Sequence, residues 1–248
     1  MHIIHRGIVN KKFKENILSS FKKSFNLGYG IETDIHLTQD NKFICFHDFT
    51  LNRIFKKNLS VKNLDYSYIK KISIIKKKPI PLLSEVLEAS KNNFPLLIEI
   101  KPYFSNKILK KLISETSKYK KCIFISFKHK NIYNLLKIKS NIKTGLSFSN
   151  RSSLKTIIKK SKNLKINYCI LDKIFLNSRS IQKLKVKKYF YTIKKKSEFK
   201  KYCKNNCLIF EFDLKNKQIA DRIIQNYPQG KQQSSVMALL YLAQKQND

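Results

Sequence analysis

A chain of 248 residues with 42% hydrophobic content can close a substantial core in a single domain. The net charge of +36 comes from 47 Lys against only 5 Arg, spread along the chain among abundant Ile, Asn, Phe and Tyr with no Trp. These favoured types share A/T-rich codons, and a nucleic-acid reader more often recruits Arg for bidentate contacts, so the charge is read as a lysine-coated surface, no specific nucleic-acid partner is expected, and room is left for weak association with anionic membranes.

In chain order, short apolar runs alternate with stretches of helical spacing. Strands are expected at 2–5, 29–35, 96–100, 122–127, 143–148, 167–171, 188–193 and 207–212. Between them, Ile108, Leu109, Leu112 and Ile113, and then Leu154, Ile157 and Ile158, repeat at helical spacing. Eight continuous apolar strands alternating with helices predict an α/β fold, a (β/α)8 TIM barrel. The interval from Ile35 to Leu96 is too long for one crossover. It is read as an insertion after the second strand. Residues 36–80 pass over the rim, carry a further strand-like run at 43–46 and return His47 to the site; a helix then starts at Ser84 behind Pro81.

The composition changes near Lys215. Seven of the nine Gln and three of the four Ala lie in 215–248. The division is therefore a barrel over 1–214 and a helical C-terminal tail over 215–248. In the tail, Ile219, Ile223, Ile224 and Tyr227 share a helical face, Pro228-Gln229-Gly230 breaks it, and a second amphipathic helix runs over 234–244. Five cysteines without CxxC spacing argue against a disulfide framework or zinc knuckle. Cys45, Cys122 and Cys169 are expected as buried free thiols, and Cys203/Cys207 is not taken as a ligand pair. No leader is expected before the first strand, and no apolar run has membrane-span length, so a cytoplasmic setting is expected.

The chemistry gathers in the first hundred residues. His5-Arg6-Gly7, Glu32-Thr33-Asp34, His47-Asp48 and Glu99-Ile100-Lys101 each follow a strand-like run. Strand ends on one rim are where barrels build active sites. Glu32 and Asp34 have period-2 spacing and face the same way; with Glu99 from a neighbouring strand they suit one divalent cation, Mg²⁺ or Ca²⁺. His5 and His47 are the candidate general acid and base. Arg6 and Lys101 are the candidate phosphate-binding cations. His2, His36 and His129 are read as non-catalytic. A metal with flanking cations suits a highly anionic phosphoryl transition state. No Gly-rich phosphate loop, nucleophile elbow or GxGxxG is present.

These motifs carry a resemblance. His5-Arg6-Gly7 followed by Glu15-Asn16, IETDIHLTQD (31–40), HDFTLNR (47–53), PLLSEVL (81–87) and LIEIK (97–101) are similar to the glycerophosphodiester phosphodiesterase family, with weaker echoes at 125–127, 189–193 and 209–213. The resemblance implies a TIM barrel and metal-dependent hydrolysis of small glycerophosphodiesters to glycerol 3-phosphate and an alcohol. It assigns metal binding to Glu32, Asp34 and Glu99, acid–base work to His5 and His47, and phosphate contact to Arg6 and Lys101. Asn41 stands where the family has Gly, Ile17 where it has Thr, and Tyr191 where it has Trp, a change expected to alter the head-group pocket.

Two rivals stay open: a lysophospholipase D-type phosphodiesterase on the same site, and a basic membrane- or nucleic-acid-binding protein with a relic barrel. The tail at 227–247 resembles the N-terminal segment of the thioredoxin-like iron–sulfur subunit of respiratory complex I. No cysteine follows Cys207, so no cluster is expected. If the tail is an accidental graft, truncation after Leu214 leaves measurable activity. Complete loss of soluble protein in that truncation would show that the tail supplies the eighth barrel helix.

Overall fold

The computed structural model describes residues 1–212; the tail helices, the 214/215 boundary and Asp213 lie outside the described residues. Nine strands form in chain order: β1 (Ile3–His5), β2 (Gly30–Leu37), β3 (Phe43–Cys45), β4 (Leu96–Ile100), β5 (Cys122–Ser126), β6 (Thr144–Phe148), β7 (Tyr168–Asp172), β8 (Lys187–Ile193) and β9 (Cys207–Phe210). Eight of them pair in the order β1-β9-β8-β7-β6-β5-β4-β2, and a β1–β2 pairing closes the ring. Every pairing in the ring is parallel. This is the expected (β/α)8 barrel. Its interior is filled by Ile3, Leu97, Ile123, Ile125, Ile170, Tyr189 and Ile209, one cluster drawn from six of the eight strands.

Helices fill the crossovers: α1 (Leu18–Asn26), α2 (Asn52–Phe55), α3 (Tyr66–Ile75), α4 (Leu83–Ala89), α5 (Asn106–Thr116), α6 (His129–Ile138), α7 (Leu154–Ser161), α8 (Arg179–Gln182) and α9 (Lys196–Tyr202). Leu109 and Leu112 on α5, Ile132 and Leu135 on α6, and Ile157 on α7 are fully buried, so the helical spacing in the sequence marks the faces that meet the sheet. The Ser105 and Ser153 hydroxyls accept the Ile108 and Thr156 amides and start α5 and α7. The Glu85 carboxylate accepts the Leu82 amide at 2.7 Å and starts α4 one residue before the expected Ser84.

The excursion over 36–80 differs in detail from the expectation. β2 does not stop at Ile35: its last residues pair antiparallel with β3, Ile35 with Cys45 and Leu37 with Phe43. The excursion therefore leaves the barrel as a hairpin, and Asp34 lies inside a strand. It also holds α3, whose buried Ile69 and Ile72 join Ile44, Phe46, Leu51, Phe55, Val61 and Ile80 in a second small core. This core anchors the hairpin over the rim. Cys45, Cys122 and Cys169 are buried free thiols, and burial pushes each up to about 12. Among the described residues no helix is long and apolar enough to cross a membrane.

His2 is buried beside β9. Its ring meets Phe199 edge-on at 4.9 Å, and its Nδ1 accepts the Leu208 amide at 3.3 Å, which requires a neutral ring. Burial, aided by the N-terminal ammonium, lowers its pKa from 6.5 to about 4. The folded value lies below the unfolded one, so this contribution to stability is complete above pH 6.5 and is lost as pH falls toward 4. Between pH 7.5 and 5.0 the wild type is expected to lose on the order of 2 kcal/mol more than His2→Leu in urea unfolding. Equal losses in the two proteins would contradict this role.

Candidate active site

The barrel register assembles the site. His5 on β1 is paired with Glu32 on β2, and Asp34 on β2 is paired with Glu99 on β4. Three neighbouring strands thus bring His5 and the three acids to one end of the barrel. Glu32, Asp34 and Glu99 are 3%, 1% and 8% exposed, and each offers a carboxylate oxygen within 4.8 Å of the others. Among the described residues they are the only such cluster of potential metal ligands. The hairpin brings His47 back to this rim. His5, Arg6, Glu32, His47, Glu99 and Lys101 line one cavity of about 230 Å³, with Phe127 and Tyr191 among its walls. All seven site residues expected from the sequence therefore converge, six on the cavity wall and Asp34 directly behind it.

The three acids share two cations and are not equivalent. Lys101 Nζ lies 2.9 Å from Glu99 Oε1 and 3.4 Å from Asp34 Oδ1. Arg6 Nε lies 3.2 Å from Asp34 Oδ2 without the alignment of a hydrogen bond. Burial pushes Asp34 up, but Arg6, Lys101, His47 and His5 outweigh it and hold its carboxyl below the usual range. Burial, then Asp34, push Glu99 up to about 7 despite Lys101. Burial, then Asp34 and Glu99, push Glu32 well above its ordinary value. Glu32 Oε2 is buried with no hydrogen-bond partner. An orphaned acceptor beside two more carboxylates is an oxygen donor set that suits a hard divalent cation.

Each histidine is held by a carboxylate. His5 Nδ1 donates to Glu211 Oε2 at 3.0 Å, and His47 Nδ1 donates to Asp48 Oδ1 at 2.6 Å. A carboxylate acceptor fixes the proton on Nδ1 and leaves Nε2 as the exchanging nitrogen. His5 Nε2 lies 3.8 Å from Glu32 Oε2. Burial lowers the His47 pKa, and Arg6 and Lys101 add to this against the pull of Asp34. His36, read as non-catalytic, donates from Nε2 to the His47 carbonyl at 3.2 Å and so braces the loop that carries His47.

Several functional partners lay in the motifs without an assigned role. Arg6 (φ 54°) and Gly7 (φ 74°) turn the chain in the left-handed region, where a Cβ on Gly7 would lie 2.4 Å from Ser20 Oγ. This turn carries Arg6 over the acids. Asn16, also left-handed at φ 52°, donates to Asp34 Oδ2 at 3.3 Å and accepts from Thr33 Oγ1 at 2.8 Å. Glu15 accepts from Arg6 Nη1 at 3.1 Å and also pairs with Arg53, whose Nε donates to Asp48 at 2.6 Å. One chain of ion pairs thus runs from Arg6 through Glu15, Arg53 and Asp48 to His47. Glu211 is the clearest omission; its place just past β9 on this same rim was the available signal.

Residues 5–208 match the model of the glycerophosphoryl diester phosphodiesterase family. A glycerophosphodiester phosphodiesterase from Caldanaerobacter subterraneus subsp. tengcongensis is 32% identical over 161 residues, covering 59% of this chain and 65% of that protein. Human lysophospholipase D is 33% identical over 131 residues, covering 47% and 40%. The matched segments thus span less than two thirds of these relatives. Among solved structures, an Oleispira antarctica phosphodiesterase in complex with the product sn-glycerol-3-phosphate superposes with a TM-score of 0.74 at 19% identity, covering 90% of this chain and 96% of that one. A Thermotoga maritima glycerophosphodiester phosphodiesterase gives 0.69 at 22% identity, covering 84% and 93%. At these identities the structures share the fold.

The raised carboxyls carry a stability consequence. With the folded pKa of Glu32 above its unfolded value, ionisation of this group opposes folding increasingly as pH rises above 4.5. In chelator at pH 8, Glu32→Gln removes that opposition and is expected to raise Tm, by about 2–4 °C for each kcal/mol recovered. A lower Tm for the variant under these conditions would contradict the electrostatic account.

Proposed function

Because the chain belongs to the glycerophosphoryl diester phosphodiesterase family, we propose that it hydrolyses glycerophosphodiesters to glycerol 3-phosphate and an alcohol at the rim formed by β1, β2 and β4. The observation that carries this is the placement of His5 and His47 on one cavity, each with its Nδ1 proton held by a carboxylate and its Nε2 left to exchange. The names of the Caldanaerobacter relative and of the product-bound Oleispira neighbour support the substrate class.

Glu32, Asp34 and Glu99 would hold one divalent cation, Mg²⁺ or Ca²⁺. When bound it supplies Lewis-acid polarisation of the phosphoryl oxygens and offsets their charge. Arg6 and Lys101 add two fixed positive charges at the acids' side of the cavity and complete the neutralisation of the developing dianion. One histidine Nε2 takes the proton of the incoming oxygen as its bond to phosphorus forms. The other gives a proton to the alkoxide as the opposite P–O bond breaks. Asp48 and Glu211 hold the Nδ1 protons of their respective partners and orient both rings. Phe127 and Tyr191 shield the cavity mouth on the far side. The exposed Phe127 ring favours a second reading, in which an acyl chain lies across it and the substrate is a lysophospholipid.

The test is release of glycerol 3-phosphate from glycerophosphocholine and glycerophosphoethanolamine, with EDTA and with Mg²⁺ or Ca²⁺ restored. Activity is expected only with the ion. His5→Ala and His47→Ala are each expected to lower kcat by about 10²–10⁴-fold. Chelator-insensitive turnover would sink the metal assignment. Full activity in either histidine variant would sink the acid–base pair. Product from lysophospholipids alone would move the protein to the second reading.

A further inference from the structure

An unpaired cation stands at the mouth of this site. Lys128 is the second residue past β5, next to the cavity-lining Phe127. Its Nζ lies 5.0 Å from the Phe49 ring centre and 4.7 Å from the Tyr103 ring centre. Phe49 and Tyr103 come from the excursion and from the loop after β4, and they are 50% and 65% exposed. Among the described residues Lys128 has no carboxylate within ion-pair distance, although Lys173, also just past a strand of this rim, pairs with Glu198. The rim acids nearest the histidines are engaged: Glu15 and Asp48 by Arg53, and Glu211 by His5. Burial, then the charge of Lys101, lower the Lys128 pKa.

Two rings hold the ammonium in one place by cation–π attraction, and both remain open on the solvent side. A lysine clamped between two rings is a fixed charge. Phe127 lines the cavity of about 230 Å³ and Lys128 is the next residue, so the lysine stands beside whatever part of a diester passes Phe127.

We propose that Phe49, Tyr103 and Lys128 form a head-group subsite that selects diesters whose second alcohol is anionic or an uncharged polyol and disfavours those with an ammonium. This rests on the phosphodiesterase reading above and deepens it. Choline and ethanolamine would meet a fixed like charge over rings whose faces already hold a cation. A phosphorylated polyol would meet an opposite charge.

The experiment compares kcat/KM for glycerophosphoinositol 4-phosphate, glycerophosphoglycerol and glycerophosphocholine in the wild type, Lys128→Arg, Lys128→Gln and Lys128→Glu. The wild type is expected to favour the anionic diester over the choline diester. Lys128→Arg should keep that ratio, Lys128→Gln should lower it about ten-fold, and Lys128→Glu should invert it, chiefly through KM. A ratio indifferent to Lys128→Gln and Lys128→Glu, with turnover intact, overturns the subsite and leaves the reaction class standing. A preference that follows acyl-chain length and ignores head-group charge also overturns it. No turnover of any diester overturns the underlying reaction together with the subsite.

Discussion

Three carboxylates confined within 4.8 Å of one another in a buried barrel end are the constraint on which the rest of the site depends. They are almost wholly buried, so each charge must be balanced by protein groups, by a proton or by an ion. The protein supplies two cations, Arg6 and Lys101, and both are spent largely on Asp34 and Glu99. Glu32 keeps a bare oxygen. Arg6 and Lys101 also act on Glu32 but do not outweigh burial and the two neighbouring acids, and this excess of carboxylate oxygens suits a hard divalent cation.

That imbalance explains the unusual backbone around it. The left-handed turn at Arg6 and Gly7 sets Arg6 against Asp34, and Gly7 is needed because α1 packs where a side chain would be. Asn16 adopts the same conformation to lend an amide to Asp34. The histidines need no cation of their own, because each is oriented by an acid outside the metal cluster. The ion-pair chain through Glu15 and Arg53 ties the loop after β1 to the hairpin that carries His47, so two segments distant in sequence hold one geometry.

The barrel was legible because its signals are local. β4 is the run LLIEI, apolar but for Glu99, and has the limits the sequence predicts, and the alternation of Glu32 and Asp34 already placed both on one face. The sequence also exposed the excursion, since sixty residues cannot form one crossover. What it hid depends on long-range geometry. His5 meets Glu211 across 206 residues; the place of Glu211 at the end of the last strand points to the rim, but only the closed barrel sets it against His5. α3 was missed because its lysines and serines dilute an apolar face that only the small second core makes necessary. Asn16, Asp48 and Arg53 stood in view as motif members, but their roles follow from which oxygen each one reaches.

The central claim is that Glu32, Asp34 and Glu99 act together as the ligands of one divalent ion. Anomalous diffraction from crystals grown with Mn²⁺ tests it most directly. The account predicts one strong peak at the end of β1, β2 and β4, within metal-coordination distance, about 2–2.5 Å, of an oxygen from each of the three carboxylates. A peak that leaves out Glu32, or no peak at this rim in crystals that bind Mn²⁺ elsewhere, would contradict it.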